Sequence, residues 1–309
     1  MLSSSACASP IGVFDSGVGG LTVLRALREA LPECDFIYLG DTARLPYGTK
    51  SPETVARYSL QCAATLLRRG IGRLVVACNT ASASALGALR ERHPALPIVG
   101  VIEPGAEAAV AASMSGHIAV IATEGTIRGG AYQAAIGRLD PAARVTARAC
   151  SMFVALAEEG WTSGAVAEAA ARRYLDPIFS AAEPPDTLVL GCTHFPVLGE
   201  VIRAVLPAGV RMVDSAATTA ALLLRELGAG AADRTSRPKP PMPPKPPTPP
   251  MPPKPPTPPM PPMPKPGPRP EQRGRITWLA TDDAERFARV GARFFGEELH
   301  SEAVEIVDL

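Results

Sequence analysis

Lysine is almost missing from this chain. Among 309 residues there are five, Lys50, Lys239, Lys245, Lys254 and Lys265, and all but Lys50 lie in one proline-rich stretch. Pyridoxal phosphate enzymes hold their cofactor on a lysine Schiff base, so the remainder of the chain offers a single candidate. Aromatic residues are scarce at 5%, and the cores must be built mainly from Ala, Val, Leu and Ile. No apolar run reaches the roughly 18 residues that span a bilayer. Met1 to Pro10 lack the basic and apolar regions of a secretory signal. The formal net charge is only +1, which gives no reason to expect nucleic acid or a membrane surface as partner. There is no CxxC pair, which argues against a structural zinc site. A soluble, cytoplasmic protein without a metal is the expectation.

What is present points to a globular chain of about two domains, with 46% hydrophobic and 20% charged residues. Six cysteines, Cys7, Cys34, Cys62, Cys78, Cys150 and Cys192, are spread widely, and with no secretion signal they are expected as reduced thiols. Of the 34 prolines, 21 lie between Pro238 and Pro270, where a nine-residue repeat, Met242 to Pro250, recurs from Met251 to Pro259. Such a segment lacks the donors that a helix or sheet needs and reads as a solvated polyproline II rod. Its seven basic residues from Arg234 to Arg269, against a total of +1, leave the rest of the chain at −6.

Strands and helices alternate along the rest. Ile11–Phe14 is a short apolar run, followed by the glycine-rich turn Asp15–Gly20 and a helical pattern of Leu21, Val23, Leu24, Leu27 and Leu31. Further strands are expected at 36–39, 74–77, 97–102, 117–122, 187–190 and 276–279. Helices are expected at 80–91, 126–138, 164–180, from 195, and at 283–295, with another opening at Ser51-Pro52-Glu53. This predicts an α/β fold: two similar, pseudo-symmetric α/β domains with mainly parallel sheets and the active site in the cleft between them. The first would comprise residues 10–100, 210–235 and 271–309, the second 101–209, with 236–270 as a low-complexity insertion.

The two halves echo each other in Leu74-Val-Val-Ala-Cys-Asn-Thr80 and Leu188-Val-Leu-Gly-Cys-Thr193. In open α/β sheets ligands bind at the carboxyl ends of strands, so Cys78 and Cys192 would face one cleft. A free cysteine is usually a small buried hydrophobe; at a helix start its pKa is lowered into a reactive range. His194 could exchange a proton with Cys192, or be structural, or share a metal with it. Asp15-Ser16-Gly17 reads as a ligand-contacting turn or as a plain βα turn capped by Asp15. A dinucleotide fingerprint would need glycine where Thr22 stands. Tyr47 could offer a hydroxyl and Gly48 a backbone N–H to a carboxylate, or both could belong to an ordinary loop. Glu158 could orient His194, or with Glu159 form a solvated helix end.

Two thiols across a cleft suit one chemistry in particular. Inverting a stereocentre without a cofactor needs a base on one face of the carbon and an acid on the other, and the pair must exchange roles on turnover. One thiolate and one thiol meet that condition, with hydroxyl, amide and backbone donors to hold carboxylates.

At this point six stretches resemble the glutamate racemases of bacterial cell-wall synthesis: Ile11–Leu24, Gly40–Gly48, Val75–Ser82, Gly100–Gly105, Ile121–Thr126 and Leu190–Pro196. The resemblance spans residues 11–230 and extends to 275–296. It implies that Cys78 and Cys192 are the two proton donors and acceptors, that Asp15 supports Cys78, and that His194 and Glu158 support Cys192. It places substrate contacts at Asp15, Ser16, Tyr47, Gly48, Asn79, Thr80, Thr123, Thr193 and His194. It implies an isomerase that needs neither pyridoxal phosphate nor metal, takes glutamate as substrate and supplies D-glutamate for peptidoglycan. It assigns Cys78 to D-glutamate and Cys192 to L-glutamate. Phe153–Glu158 carries alanines where the family usually has proline and valine, and the proline insertion is foreign to the family pattern. A homodimer, and an unknown partner for the insertion, are open expectations. The competing readings are a racemase of aspartate or a hydantoin, a cysteine hydrolase using Cys192 and His194, and an interaction protein built around the proline tract.

Overall fold

The chain builds two parallel sheets, each flanked by the helices that connect its strands. The computed structural model describes residues 7–236 and 273–309. The first half runs β1 (Ile11–Asp15), α1 (Leu21–Ala30), β2 (Phe36–Gly40), α2 (Pro52–Arg68), β3 (Arg73–Val76), α3 (Asn79–Arg92) and β4 (Ile98–Gly100). It continues through α4 (Ile102–Ala112) into β5 (His117–Ala122), α5 (Glu124–Gly129), α6 (Ala131–Leu139), β6 (Arg144–Ala149), α7 (Met152–Glu159), α8 (Gly164–Phe179), β7 (Thr187–Gly191), α9 (Gly199–Val205) and β8 (Arg211–Asp214). Then follow α10 (Ser215–Ser236), β9 (Ile276–Ala280), α11 (Ala284–Phe295) and β10 (Val304–Ile306).

The first sheet has the order β10-β9-β2-β1-β3-β4 and the second β6-β5-β7-β8. All the strand pairings are parallel. β1, β2, β5 and β7 are buried throughout, as expected of strands covered on both faces. α1 turns Leu21, Leu24 and Leu27 inward on one stripe, and α2 starts where Ser51 Oγ accepts the Thr54 amide, with Pro52 at its first position. One apolar cluster joins the halves, from Val13, Leu24 and Phe287 through Phe195 to Leu190 and Phe153. Among the described residues no helix is long and apolar enough to cross a membrane.

The structure departs from the sequence reading in several places. β8 pairs with β7, so the second sheet continues past residue 209 to Asp214; only then does α10 cross back and pack on α1. The helix expected over 126–138 is two helices, broken at Gly130, which sits at φ 64°. α4, β6 and β10 have weak or mixed hydrophobic periodicity and stand where no element was expected, and of α7 only the helix end at Glu158 and Glu159 was; β6 in particular is only partly buried. Cys7 and Cys34 are joined as a disulfide, with 5.3 Å between their Cα atoms. This corrects the expectation of six reduced thiols: β2 begins two residues after Cys34 and pairs with β1, and this brings Cys34 to the segment leading into β1. The other four cysteines are free and buried. The proline-rich rod lies outside the described residues.

Candidate active site

The chemistry-bearing side chains gather where strands end. Asp15 closes β1, Cys78 follows β3, Thr123 follows β5 and Cys192 follows β7. Parallel strands all point the same way, so their carboxyl ends and the helices they feed converge on one edge.

Cys78 is the N-cap of α3, and its Sγ accepts the Ala81 amide at 3.5 Å. The thiol lies 3.7 Å from Ser16 Oγ. Burial pushes the Cys78 pKa up, the Asp15 carboxylate adds to this, and the Ala81 and Ser16 bonds only partly offset them, leaving it at about 12. The sequence argument that a helix start makes this thiol acidic therefore does not hold here, because desolvation outweighs the helix. Asp15 is fully buried and its own pKa is raised by burial, against the opposing pull of the His194 charge and the amides of Gly20, Gly17 and Ser16. Asp15 Oδ2 accepts the Gly17 amide at 2.9 Å.

Cys192 has a different neighbourhood. Its Sγ lies 3.8 Å from His194 Nδ1, and His194 Nε2 lies 3.1 Å from Glu158 Oε1. Burial alone would depress the His194 pKa, but its bonds to Cys192 and Glu158 and the nearby acidic charges raise it to about 10. The imidazole is thereby held with one nitrogen on the sulfur and the other on the carboxylate, placed to take a proton from Cys192 and return it. Glu158 is held below the usual carboxylate range: burial opposes this, while His194 and Arg286 more than compensate. The two cysteines therefore have unlike neighbours: Cys78 sits beside Ser16 and the buried Asp15, and Cys192 sits beside the His194 imidazole. Their charges are close enough for Cys192 to raise the Cys78 pKa further.

The wall between them is polar. Thr80 Oγ1 lies 2.9 Å from Thr123 Oγ1 and 3.1 Å from Thr126 Oγ1, across the domain boundary. Asn79 Oδ1 accepts the Tyr132 hydroxyl at 2.8 Å, and Ser215 Oγ lies 3.1 Å from that hydroxyl. Asn79 Nδ2 and Asp15 Oδ1 are buried and have no hydrogen-bond partner among the described residues. Such atoms are rare and each needs a reason; here they are a donor and an acceptor flanking Cys78, complementary to a carboxylate and an ammonium. Gly48 stands against Thr123, where a Cβ would come within 2.8 Å of the Thr123 Cβ. The Thr193 carbonyl accepts the Thr22 hydroxyl at 3.0 Å.

The structure thus brings together Asp15, Ser16, Cys78, Cys192, His194 and Glu158, and places Asn79, Thr80, Thr123, Thr193 and Gly48 around them. Tyr47 is different. Its hydroxyl is donated to Asp41 and faces Cys62 in the core, so the expectation that it serves a carboxylate fails; its backbone beside Gly48 is what remains to offer. Tyr132, Ser215 and Arg286 reach the site from separate helices and carry no local motif in the sequence, and Thr126, at the end of the Ile121–Thr126 stretch, was not singled out.

The His194 pairing has a consequence for stability. An unfolded histidine titrates near 6.5 and the folded one near 10, so between those values the native state binds the extra proton. Stability from this group is complete below about pH 6.5 and is lost as pH rises toward 10. Urea midpoints measured from pH 6.5 to 9 should decline, and in His194→Gln the decline should flatten; an equal slope in both proteins would contradict the assignment.

Comparison with known proteins bears on these residues. The Asp/Glu/Hydantoin racemase family model matches residues 11–223. The chain is 57% identical over 220 residues to a glutamate racemase of Geobacter metallireducens, covering 71% of this chain and 80% of that protein. It is similar to the crystal structure of glutamate racemase from Thermus thermophilus in complex with β-chloro-D-alanine, at 40% identity, TM-score 0.75 and 97% coverage of both chains. It is also similar to glutamate racemase of Francisella tularensis in complex with D-glutamate, at 31% identity, TM-score 0.78 and 97% coverage of both.

Proposed function

The chain belongs to the Asp/Glu/hydantoin racemase family, and from that membership we propose that it interconverts L- and D-glutamate by proton transfer at Cα between Cys78 and Cys192. The observation that carries this reading is the placement of two cysteines at matching strand ends, one bonded to Ser16 beside Asp15 and one beside His194 and Glu158. The names of its relatives supply the substrate.

In one direction the Cys192 sulfur, as thiolate stabilised by His194, removes the α-proton. The Cys78 thiol delivers its proton to the opposite face, and the carbanion's electron pair becomes the new C–H bond. The enzyme is left with Cys78 as thiolate and Cys192 as thiol, ready for the reverse reaction. Following the family resemblance, Cys192 acts on L-glutamate and Cys78 on D-glutamate. Asp15 Oδ1 suits the substrate ammonium, which acidifies the Cα–H. The Asn79 amide, Ser16, the Thr80, Thr123, Thr126 and Thr193 hydroxyls and the Gly48 backbone suit its two carboxylates, stabilising the charge that spreads into the α-carboxylate as the carbanion forms. The product D-glutamate would supply peptidoglycan synthesis.

The test is to incubate pure D-glutamate, then pure L-glutamate, with the reduced protein in D2O, adding neither pyridoxal phosphate nor metal. Optical rotation should decay to zero while deuterium enters Cα. No change with either enantiomer, in folded protein, would remove glutamate as substrate, and turnover of aspartate in the same assay would name the alternative.

A further inference from the structure

Glu158 reaches three groups, His194 and two arginines that share one helix. Oε1 meets His194 Nε2 at 3.1 Å, Oε2 accepts from an Arg286 Nη at 2.7 Å, and the Glu158 backbone carbonyl accepts from an Arg293 Nη at 2.5 Å. Glu158 lies in the last turn of α7 in the second domain, whereas both arginines lie on α11, which packs on α1 in the first. Phe294, on the same helix, stands edge-on to the His194 ring, with centroids 5.0 Å apart. Arg286, Arg293 and Phe294 sit at i, i+7 and i+8, one face of the helix. Gly160, which follows α7 at φ 78°, lies under the Arg293 guanidinium, where a Cβ would come within 2.9 Å of its central carbon.

A carboxylate held at one oxygen can swing about its last torsion; held at both, its plane is set. His194 in turn must keep Nδ1 toward Cys192, and its ring orientation is decided by what Nε2 meets. The carboxylate side chain is 16% exposed and the guanidinium 42%, so the arginine remains partly hydrated while neutralising a carboxylate that is mostly out of water. That arrangement avoids the penalty of a fully desolvated pair.

We infer that Arg286 is a positioning residue: from across the domain boundary it fixes the Glu158 carboxylate, and through it the face that His194 presents to Cys192. Arg293 and Phe294 on the same helix complete the grip. The inference rests on the two-cysteine reading of the site, but concerns only its Cys192 side. Cys78, supported by Asp15 and Ser16, is outside its reach. α11 therefore serves the chemistry although it lies more than 90 residues beyond Cys192 in the chain.

The test uses the full-length protein with Arg286→Met, Arg286→Lys, Glu158→Gln and the Arg286→Met/Glu158→Gln double variant. Two quantities are read: kcat and KM for each glutamate enantiomer, and the rate at which iodoacetamide labels Cys192 and Cys78, resolved by peptide mass spectrometry. Arg286→Met should lower kcat roughly tenfold with KM changed less than about twofold, and should slow Cys192 labelling while Cys78 labelling stays near wild type. Arg286→Lys, which restores a donor, should recover most of both. In the Glu158→Gln background Arg286→Met should add little, because both act through one chain of contacts. Wild-type labelling of Cys192 in Arg286→Met, equal changes at both thiols, or fully additive losses in the double variant would each overturn the inference. Labelling needs no turnover, so it judges the Arg286 role even if glutamate proves not to be the substrate.

Discussion

Cys78→Ala and Cys192→Ala are each expected to reduce racemisation of glutamate on the order of 10³-fold or more, a loss typical of removing a positioned proton-transfer group. Inversion needs a donor and an acceptor on opposite faces of the same carbon, so neither thiol can substitute for the other. The two variants should nevertheless differ. Cys78→Ala keeps the Cys192–His194–Glu158 chain, in which an imidazole stands ready to take the thiol proton. It should still exchange the α-proton of one enantiomer for deuterium with retention of configuration. Cys192→Ala keeps only Cys78, whose pKa burial and Asp15 push up to about 12, and its exchange should be slower and confined to the other enantiomer. The measurement is mass-resolved Cα deuteration of each enantiomer in D2O alongside optical rotation. Racemisation by either single variant within tenfold of wild type would dismiss the two-thiol scheme. Exchange of both enantiomers by one variant would dismiss the assignment of faces.

Gly19→Ala is expected to cost about 10²-fold in kcat/KM although it removes no catalytic group. A Cβ at position 19 would stand 2.3 Å from His194 Nδ1 and 2.5 Å from Thr193 Oγ1. Nδ1 is the nitrogen that faces Cys192, so the added methyl must push the imidazole off the sulfur or force the two domains apart. The backbone on either side is not free to give: the Thr22 hydroxyl bonds both the Gly19 and the Thr193 carbonyls, and Gly20 packs on Asp15 and Ala77. Displacements near 1 Å at a catalytic group carry losses of about this size, and overpacking adds about 1–3 kcal/mol of destabilisation. Steady-state kinetics with a urea midpoint on the same sample would check both. Near-normal kinetics with a lowered midpoint would mean that the interface relaxes away from His194, and the close approach would then not matter to catalysis.

Much of this could be read from the residues in order. Strand-ending cysteines followed within two positions by threonine, the glycine-rich turn after β1 and the Ser51-Pro52 helix start are local signals, carried by short stretches of chain. The burial of β1, β2, β5 and β7 likewise follows from unbroken apolar runs that only a doubly covered parallel sheet can accept. Less legible were α4, β6 and α7, whose alanine-rich or mixed sequences carry little periodicity; their place depends on what they pack against. The Cys7–Cys34 pairing was hidden for a similar reason, since composition speaks to compartment and not to which two sulfurs a sheet register brings together.

The sequence by itself determined the alternation of strand and helix, the two cysteine-bearing strand ends and the residues beside them, because each depends on neighbours within a few positions. Only the tertiary structure decided the surroundings of each group and its supports. Cys78 became a weak acid through burial that no local motif records. Tyr47 turned its hydroxyl to Asp41 and away from the cleft. Glu158 acquired Arg286 from a helix more than 120 residues away, across the boundary between two domains. Desolvation and long-range ion pairing depend on what surrounds a group in three dimensions, and that is set by the packing of the whole chain.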